Sequence, residues 1–91
     1  MAIGITFTPA SMNAAKYDEC IKRLEKAGAS APKGRLYHAC YGSSDQLRVF
    51  DVWDSMESFE QFGQTLMPIL QQLGVDPGKP DIREIHNIIK G

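Results

Sequence analysis

His38 and Asp51 are the residues whose types and spacing first suggest a reaction. They lie on two short apolar segments, Arg35 to Tyr41 and Leu47 to Trp53, joined by the turn-forming stretch Gly42-Ser43-Ser44-Asp45. With Tyr41 opposite Gln46, His38 faces Val49 and Leu36 faces Asp51, which sets imidazole and carboxylate diagonally on one face and within reach of each other. A carboxylate beside an imidazole fixes its tautomer and suits it to act as a general base. The same face carries Cys40, Val49 and Trp53, and an indole N–H there can orient a ligand. A further imidazole, His86, falls in Ile82 to Ile89, where alternation groups it with Ile82, Glu84 and Ile88. Both faces of that segment are mixed, so the pattern does not assign it. The candidate catalytic residues are therefore His38 and Asp51, and the candidate ligand-binding residues are Cys40, Val49, Trp53 and His86. The competing reading makes His38 and Asp51 a self-satisfying pair at an interface, Trp53 a plug at a strand end, and His86 a structural strand residue.

Other chemistry finds no support. Cys20 and Cys40 form neither a C-x-x-C pair nor a Cys/His cluster, so free, buried thiols are expected and no metal. No Gly-rich phosphate loop and no nucleophile elbow is present, and no cofactor is expected. A ferredoxin-like metal chaperone needs paired cysteines in the first loop, and Pro9-Ala10-Ser11-Met12 has none. A related RNA-binding domain needs stacking aromatics in a basic third strand, which Leu47-Arg-Val-Phe-Asp-Val-Trp53 is not. Ten Lys and Arg against eleven Asp and Glu leave a net charge of −1, without the basic footprint of a nucleic-acid or membrane-surface protein. No apolar run approaches the roughly 20 residues of a membrane span. Met1 to Ala10 lacks the pattern of a secretion signal, so a cytoplasmic protein is expected.

The elements that must position these residues fit one domain over 1–91. Ile3 to Thr8 alternates and is β-branched, which predicts a strand. Ser11 or Asn13 can cap a helix whose stripe is Ala14, Tyr17, Ile21 and Leu24, with Gly28 as its C-terminal stop. The hairpin 35–53 follows. Asp54, with Glu57 three residues on, predicts a capping box for a second helix with the stripe Phe59, Phe62, Leu66, Ile69, Leu70 and Leu73. Pro68 should kink that helix or end it nearby. Gly74 to Pro80 is a loop, and Ile82 to Ile89 a last strand. Tyr17, Tyr37 and Tyr41 read as core or rim aromatics, and Met12, Met56 and Met67 as packing at helix edges.

The order is βαββαβ, an α+β ferredoxin-like fold with a four-stranded antiparallel sheet and two helices on one face. Tyr37, Ala39, Tyr41, Phe50 and Val52 look like the face under the helices, with Arg35 and Arg48 near its ends. The opposite face would then leave Leu36, Cys40, Leu47, Val49 and Trp53 open to water. A monomer rarely exposes such a set, so a homodimer is predicted.

With these residues assembled, the chain resembles the dimeric α/β-barrel superfamily, and most of all its antibiotic-biosynthesis-monooxygenase-like members. The resemblance covers nearly the whole chain. Its most specific piece is Val49-Phe50-Asp51-Val52-Trp53-Asp54-Ser55-Met56-Glu57-Ser58-Phe59, and Gly34 to Gly42 resembles short bacterial proteins of the same superfamily. The resemblance implies a small-molecule cavity between helices and sheet and, often, a cofactor-independent oxygenase. It also implies an Asn on the cavity face of the third strand, where this chain has Val49. Haem-degrading relatives pair a strand-end Trp with a helix His and a first-strand Asn. Trp53 matches the first, and the others are missing, which argues against haem degradation.

Two functions follow. One is a homodimer that binds a hydrophobic or aromatic small molecule, as an oxygenase or isomerase with His38 as base and Asp51 as its orienter. The other is a non-catalytic binding or assembly module on the same dimer.

Overall fold

The structure is a computed structural model that describes residues 2–91; Met1 lies outside the described residues. Its elements follow the order β1 Ile3–Phe7, α1 Ala14–Lys26, β2 Arg35–Ser43, β3 Gln46–Trp53, α2 Met56–Gln72 and β4 Asp81–Glu84. The sheet is antiparallel with strand order β2-β3-β1-β4. This is the expected ferredoxin-like α+β topology.

Local chemistry explains most boundaries. Asn13 caps α1 by accepting from Lys16 N–H at 2.8 Å, and Gly28 leaves the helix at φ +74°. At α2 the cap is Ser55, one residue later than expected, accepting from Ser58 N–H at 3.2 Å. Pro68 neither ends nor breaks α2. The ring costs the helix only the bond to the carbonyl of Gln64, and both residues are exposed, so water can take that bond. The next turn is anchored in the core by Ile69 and Leu70. β4 is shorter than expected, spanning Asp81–Glu84. Its last paired residue is Glu84, opposite Ile3, and Ile85 N–H donates to Ala2 C=O at 3.0 Å.

The hairpin departs from expectation in register and in facing. Ser43 pairs Gln46 across a two-residue turn, Cys40 pairs Val49, and His38 pairs Asp51. The pairing is shifted by two residues, which keeps the residues from Tyr37 onward grouped with their predicted face-mates and changes their partners; Arg35 and Leu36, at a bulge, depart from this. The faces themselves are exchanged relative to the helices. Val49, Asp51 and Trp53 are buried under α1 and α2, whereas Tyr37 and Tyr41 are 57% and 47% exposed on the open side. Trp53 is fully buried against Phe59 and Phe62, at ring distances of 5.7 and 5.3 Å. Burying an indole of this size contributes roughly 4 kcal/mol at about 25 cal/mol per Å². That gain goes to whichever face meets the helices, and the tyrosines lose little, since their hydroxyls reach water from the open side.

The tip of the hairpin is tied to the start of α1 by main-chain bonds. Ala14 N–H donates to Ser44 C=O at 2.7 Å and Leu47 N–H to Met12 C=O at 2.9 Å.

Candidate active site

β2 and β3 bring His38 and Asp51 onto one rung of the sheet, directly opposed and not diagonal. His38 Nδ1 lies 2.5 Å from Asp51 Oδ1. α1 supplies a residue that sequence reasoning left among the packing aromatics: Tyr17, whose hydroxyl is 2.7 Å from His38 Nε2, with its ring nearly coplanar with the imidazole, 4° between planes and 6.1 Å between ring centres. The second carboxylate oxygen of Asp51 accepts from Trp53 Nε1 at 3.4 Å, a long bond. The pattern assigns the tautomer. An acceptor-only carboxylate such as Asp51 takes the Nδ1–H, so Nε2 keeps its lone pair and accepts the Tyr17 O–H. Tyr17, His38, Asp51 and Trp53 thus form one chain of hydrogen bonds from helix to strand end.

The chain borders a cavity of about 90 Å³ between the helices and the sheet. Its walls are chiefly apolar: Met12, Ile21, Leu24, Leu66 and Leu70 from the helical side, Phe7 and Val49 from the sheet. The polar lining is confined to Tyr17, Arg35, His38 and Asp51, with the thiol of Cys20 in the α1 wall. Among the described residues no buried side-chain polar atom lacks a partner, which is how Asp51 tolerates 4% exposure in an apolar setting.

Burial pushes the Tyr17 hydroxyl above its ordinary range, and the nearby Cys40 adds to this, whereas the Arg35 guanidinium pulls it back. Burial likewise raises the thiols of Cys20, against the opposing charge of Arg23, and of Cys40, where Asp18 adds to the effect. Both cysteines are free and stay protonated at neutral pH, so neither has the thiolate of a reactive cysteine.

The sequence-predicted residues divide. His38, Asp51 and Val49 line the cavity. Trp53 does not line the cavity; it lies behind Phe59 and Phe62, which do, and is bonded to Asp51. Cys40 is half-buried beside Val49 and does not line the cavity. His86 is exposed beyond the end of β4, away from the cavity. Sequence reasoning missed Tyr17, Arg35 and Cys20. The available signal for Tyr17 was its place on the apolar stripe of α1, one helical turn before Ile21, as a stripe residue with a hydroxyl. Among the described residues no group of three or more potential metal ligands stands together, and no helix is long and apolar enough to cross a membrane.

No family model matches the chain, and no curated protein does. Solved structures do. A candidate antibiotic biosynthesis monooxygenase from Chloroflexus aurantiacus J-10-fl superimposes with a TM-score of 0.69 at 16% identity, covering 99% of this chain and 98% of that one. SnoaB, a cofactor-independent oxygenase from Streptomyces nogalater, does so with a TM-score of 0.63 at 12% identity, covering 99% and 96%. A candidate antibiotic biosynthesis monooxygenase from Deinococcus radiodurans gives 0.63 at 16% identity, covering 99% and 97%. At these identities the likeness is one of fold, extending over essentially the whole chain.

Proposed function

We propose that this chain, which has the protomer fold of the antibiotic-biosynthesis-monooxygenase-like proteins, is a cytoplasmic homodimer that binds a hydrophobic or aromatic small molecule and deprotonates it. The ligand site is the cavity between helices and sheet. His38 is the general base, Asp51 its orienter, and the reaction class is that of a cofactor-independent oxygenase or an isomerase. The observation that carries the reading is the placement of His38 Nε2, whose partner Nδ1 is held 2.5 Å from a buried carboxylate, at the polar end of an otherwise apolar cavity. A base in such a place meets its substrate in a low-dielectric setting, where proton transfer is not diluted by water. Removing a proton from a quinol or enol makes it electron-rich, which is what oxygen needs in the absence of a cofactor. One oxygenase of this fold works without a cofactor. Val49, in place of the expected Asn, leaves the acid–base work to His38 and Asp51.

The dimer rests on the open sheet face, where Tyr37 and Tyr41 stand beside half-buried Ala39 and Phe50. A second copy would cover this apolar surface. The two free thiols suit a reducing compartment.

A specific observation favours the second reading, a binding module without catalysis: the Tyr17 O–H already occupies Nε2, so the network is satisfied by itself. Oxygen uptake with a panel of quinols separates the two. We expect uptake by the wild type, lost in His38→Gln and Asp51→Asn, with ligand-induced thermal stabilisation retained in both variants. Stabilisation without uptake would leave the binding module, and neither would remove the ligand site.

A further inference from the structure

The β2–β3 ladder contains one irregularity, and it changes what enters the cavity. Tyr37 pairs Val52, so a regular ladder would place Leu36 opposite Trp53, on the helix side. Instead Arg35 pairs Trp53, and Leu36 is the extra residue of a bulge. The result runs against burial. Leu36 is 59% exposed, whereas Arg35 is half-buried and lines the cavity with its guanidinium carbon 5.7 Å from the centre of the Phe62 ring. A fold choosing only for stability would bury the leucine and expose the cation.

Arg35 is also free to act. Among the described residues it has no ion pair, and its one side-chain hydrogen bond, from Nη2 to Ser30 C=O at 3.1 Å, leaves other N–H donors unused. Among the described residues it is the only Arg or Lys that lines the cavity. Its charge is felt at the Tyr17 hydroxyl, where it opposes the effect of burial.

We propose that Arg35, carried inward by the bulge, makes the cavity a site for the oxyanion of a single-ring acidic compound, a phenol or cyclic enol. The inference rests on the cavity being the ligand site, and it specifies the ligand. The size limit comes from a volume of about 90 Å³. An engineered apolar cavity of about 150 Å³ holds benzene, so one ring reaching into the open mouth is the most this cavity accepts. The acid requirement comes from the charges. The O–H bond of the ligand breaks, its proton passes to Tyr17 as the Tyr17 proton passes to His38 Nε2, and a new N–H bond forms there. The products are an oxyanion beside Arg35 and an imidazolium beside Asp51. The site has the same net charge before and after, and no oxidant is involved.

The probe is 4-nitrophenol, whose phenolate absorbs visibly and whose protonated form does not, at a pH where the free probe is chiefly protonated. Nitrobenzene serves as the neutral analogue and 4-nitro-1-naphthol as the two-ring one. We expect the phenolate band to grow on binding, and Arg35→Met to weaken 4-nitrophenol binding about ten- to a hundredfold. Nitrobenzene binding should be unchanged, and Arg35→Lys should restore part of the phenolate signal. The naphthol should bind far more weakly than 4-nitrophenol. Circular dichroism checks that Arg35→Met is folded. Probe bound in its neutral form, or bound equally by Arg35→Met, overturns this inference and leaves the cavity standing. Equal binding of the naphthol overturns the single-ring limit. If neither 4-nitrophenol nor nitrobenzene binds, the ligand cavity itself is refuted, and this inference with it.

Discussion

Asp51 stands directly opposite His38, and its two carboxylate oxygens hold two different rings, the imidazole at 2.5 Å and the Trp53 indole at 3.4 Å. One buried side chain therefore sets both the tautomer of the proposed base and a bond to the largest fully buried residue. Asp51→Ala strands the buried indole N–H and the half-buried imidazole N–H and should cost about 2–4 kcal/mol. Asp51→Asn keeps one acceptor and should cost roughly half as much. Urea unfolding followed by the fluorescence of the single tryptophan reads both. Equal losses in the two variants would mean that volume, not hydrogen bonding, is what Asp51 supplies.

Alkaline pH should unfold the protein earlier than its charge balance suggests. Burial raises the Cys20 thiol above its ordinary 9.0 and the Tyr17 hydroxyl above 10.0. Between its unfolded and folded values, each group keeps its proton in the folded chain after the unfolded chain has lost it. The folded state then binds more protons, so stability is full below about pH 9 and falls as pH rises. Cys20→Ala should flatten the onset of the fall and Tyr17→Phe the part above about pH 10. A urea midpoint that stays level from about pH 8 to about pH 11 contradicts this.

Gly34 fixes how β2 enters the sheet just before Arg35. Its φ is +91°, and a Cβ there would fall 2.5 Å from Ser58 and 2.6 Å from the Asp54 carboxylate. Gly34→Ala combines left-handed strain with a clash and should cost at least about 2 kcal/mol. Gly28→Ala is the control. Its φ is +74° with open space around it, so only the strain of about 1 kcal/mol applies. Comparable losses at the two sites would show that Asp54 and Ser58 move aside.

The open face offers a direct test of the dimer. Tyr37→Lys with Tyr41→Lys places two cations per chain, four per dimer, at the proposed contact, where like charges would be brought together. Sedimentation should show the wild type as two chains and the double variant as one, with helix content unchanged. A wild type that sediments as a single chain removes the dimer altogether.

The strand and helix order was legible because each element carries its own period and stop signal. The alternation of the hairpin correctly separated His38, Asp51 and Trp53 from Tyr37, Tyr41 and Phe50. It did not say which set meets the helices, because that choice depends on partners distant in sequence. His38 and Asp51 put two polar groups on an otherwise apolar face, and with Tyr17 and Trp53 they satisfy one another under the helices. The register was off by two residues because Gly42 and Ser43 read as turn chemistry and in fact extend β2. The bulge at Leu36 left no mark in composition, and so Arg35 was grouped with Tyr37 and Tyr41, whereas it shares the face of His38 and Asp51.

The clamp between the hairpin tip and the start of α1 bears on how such a scaffold diverges. Both of its bonds join main-chain atoms, Ala14 to Ser44 and Leu47 to Met12. No side-chain exchange at these positions removes them, short of a proline at 14 or 47. The clamp holds the helix that carries Tyr17 to the hairpin that carries His38 and Asp51. Descendants of this chain can therefore replace the whole apolar lining, and with it the molecule that fits, while the hydrogen-bonded residues at the polar end stay in place.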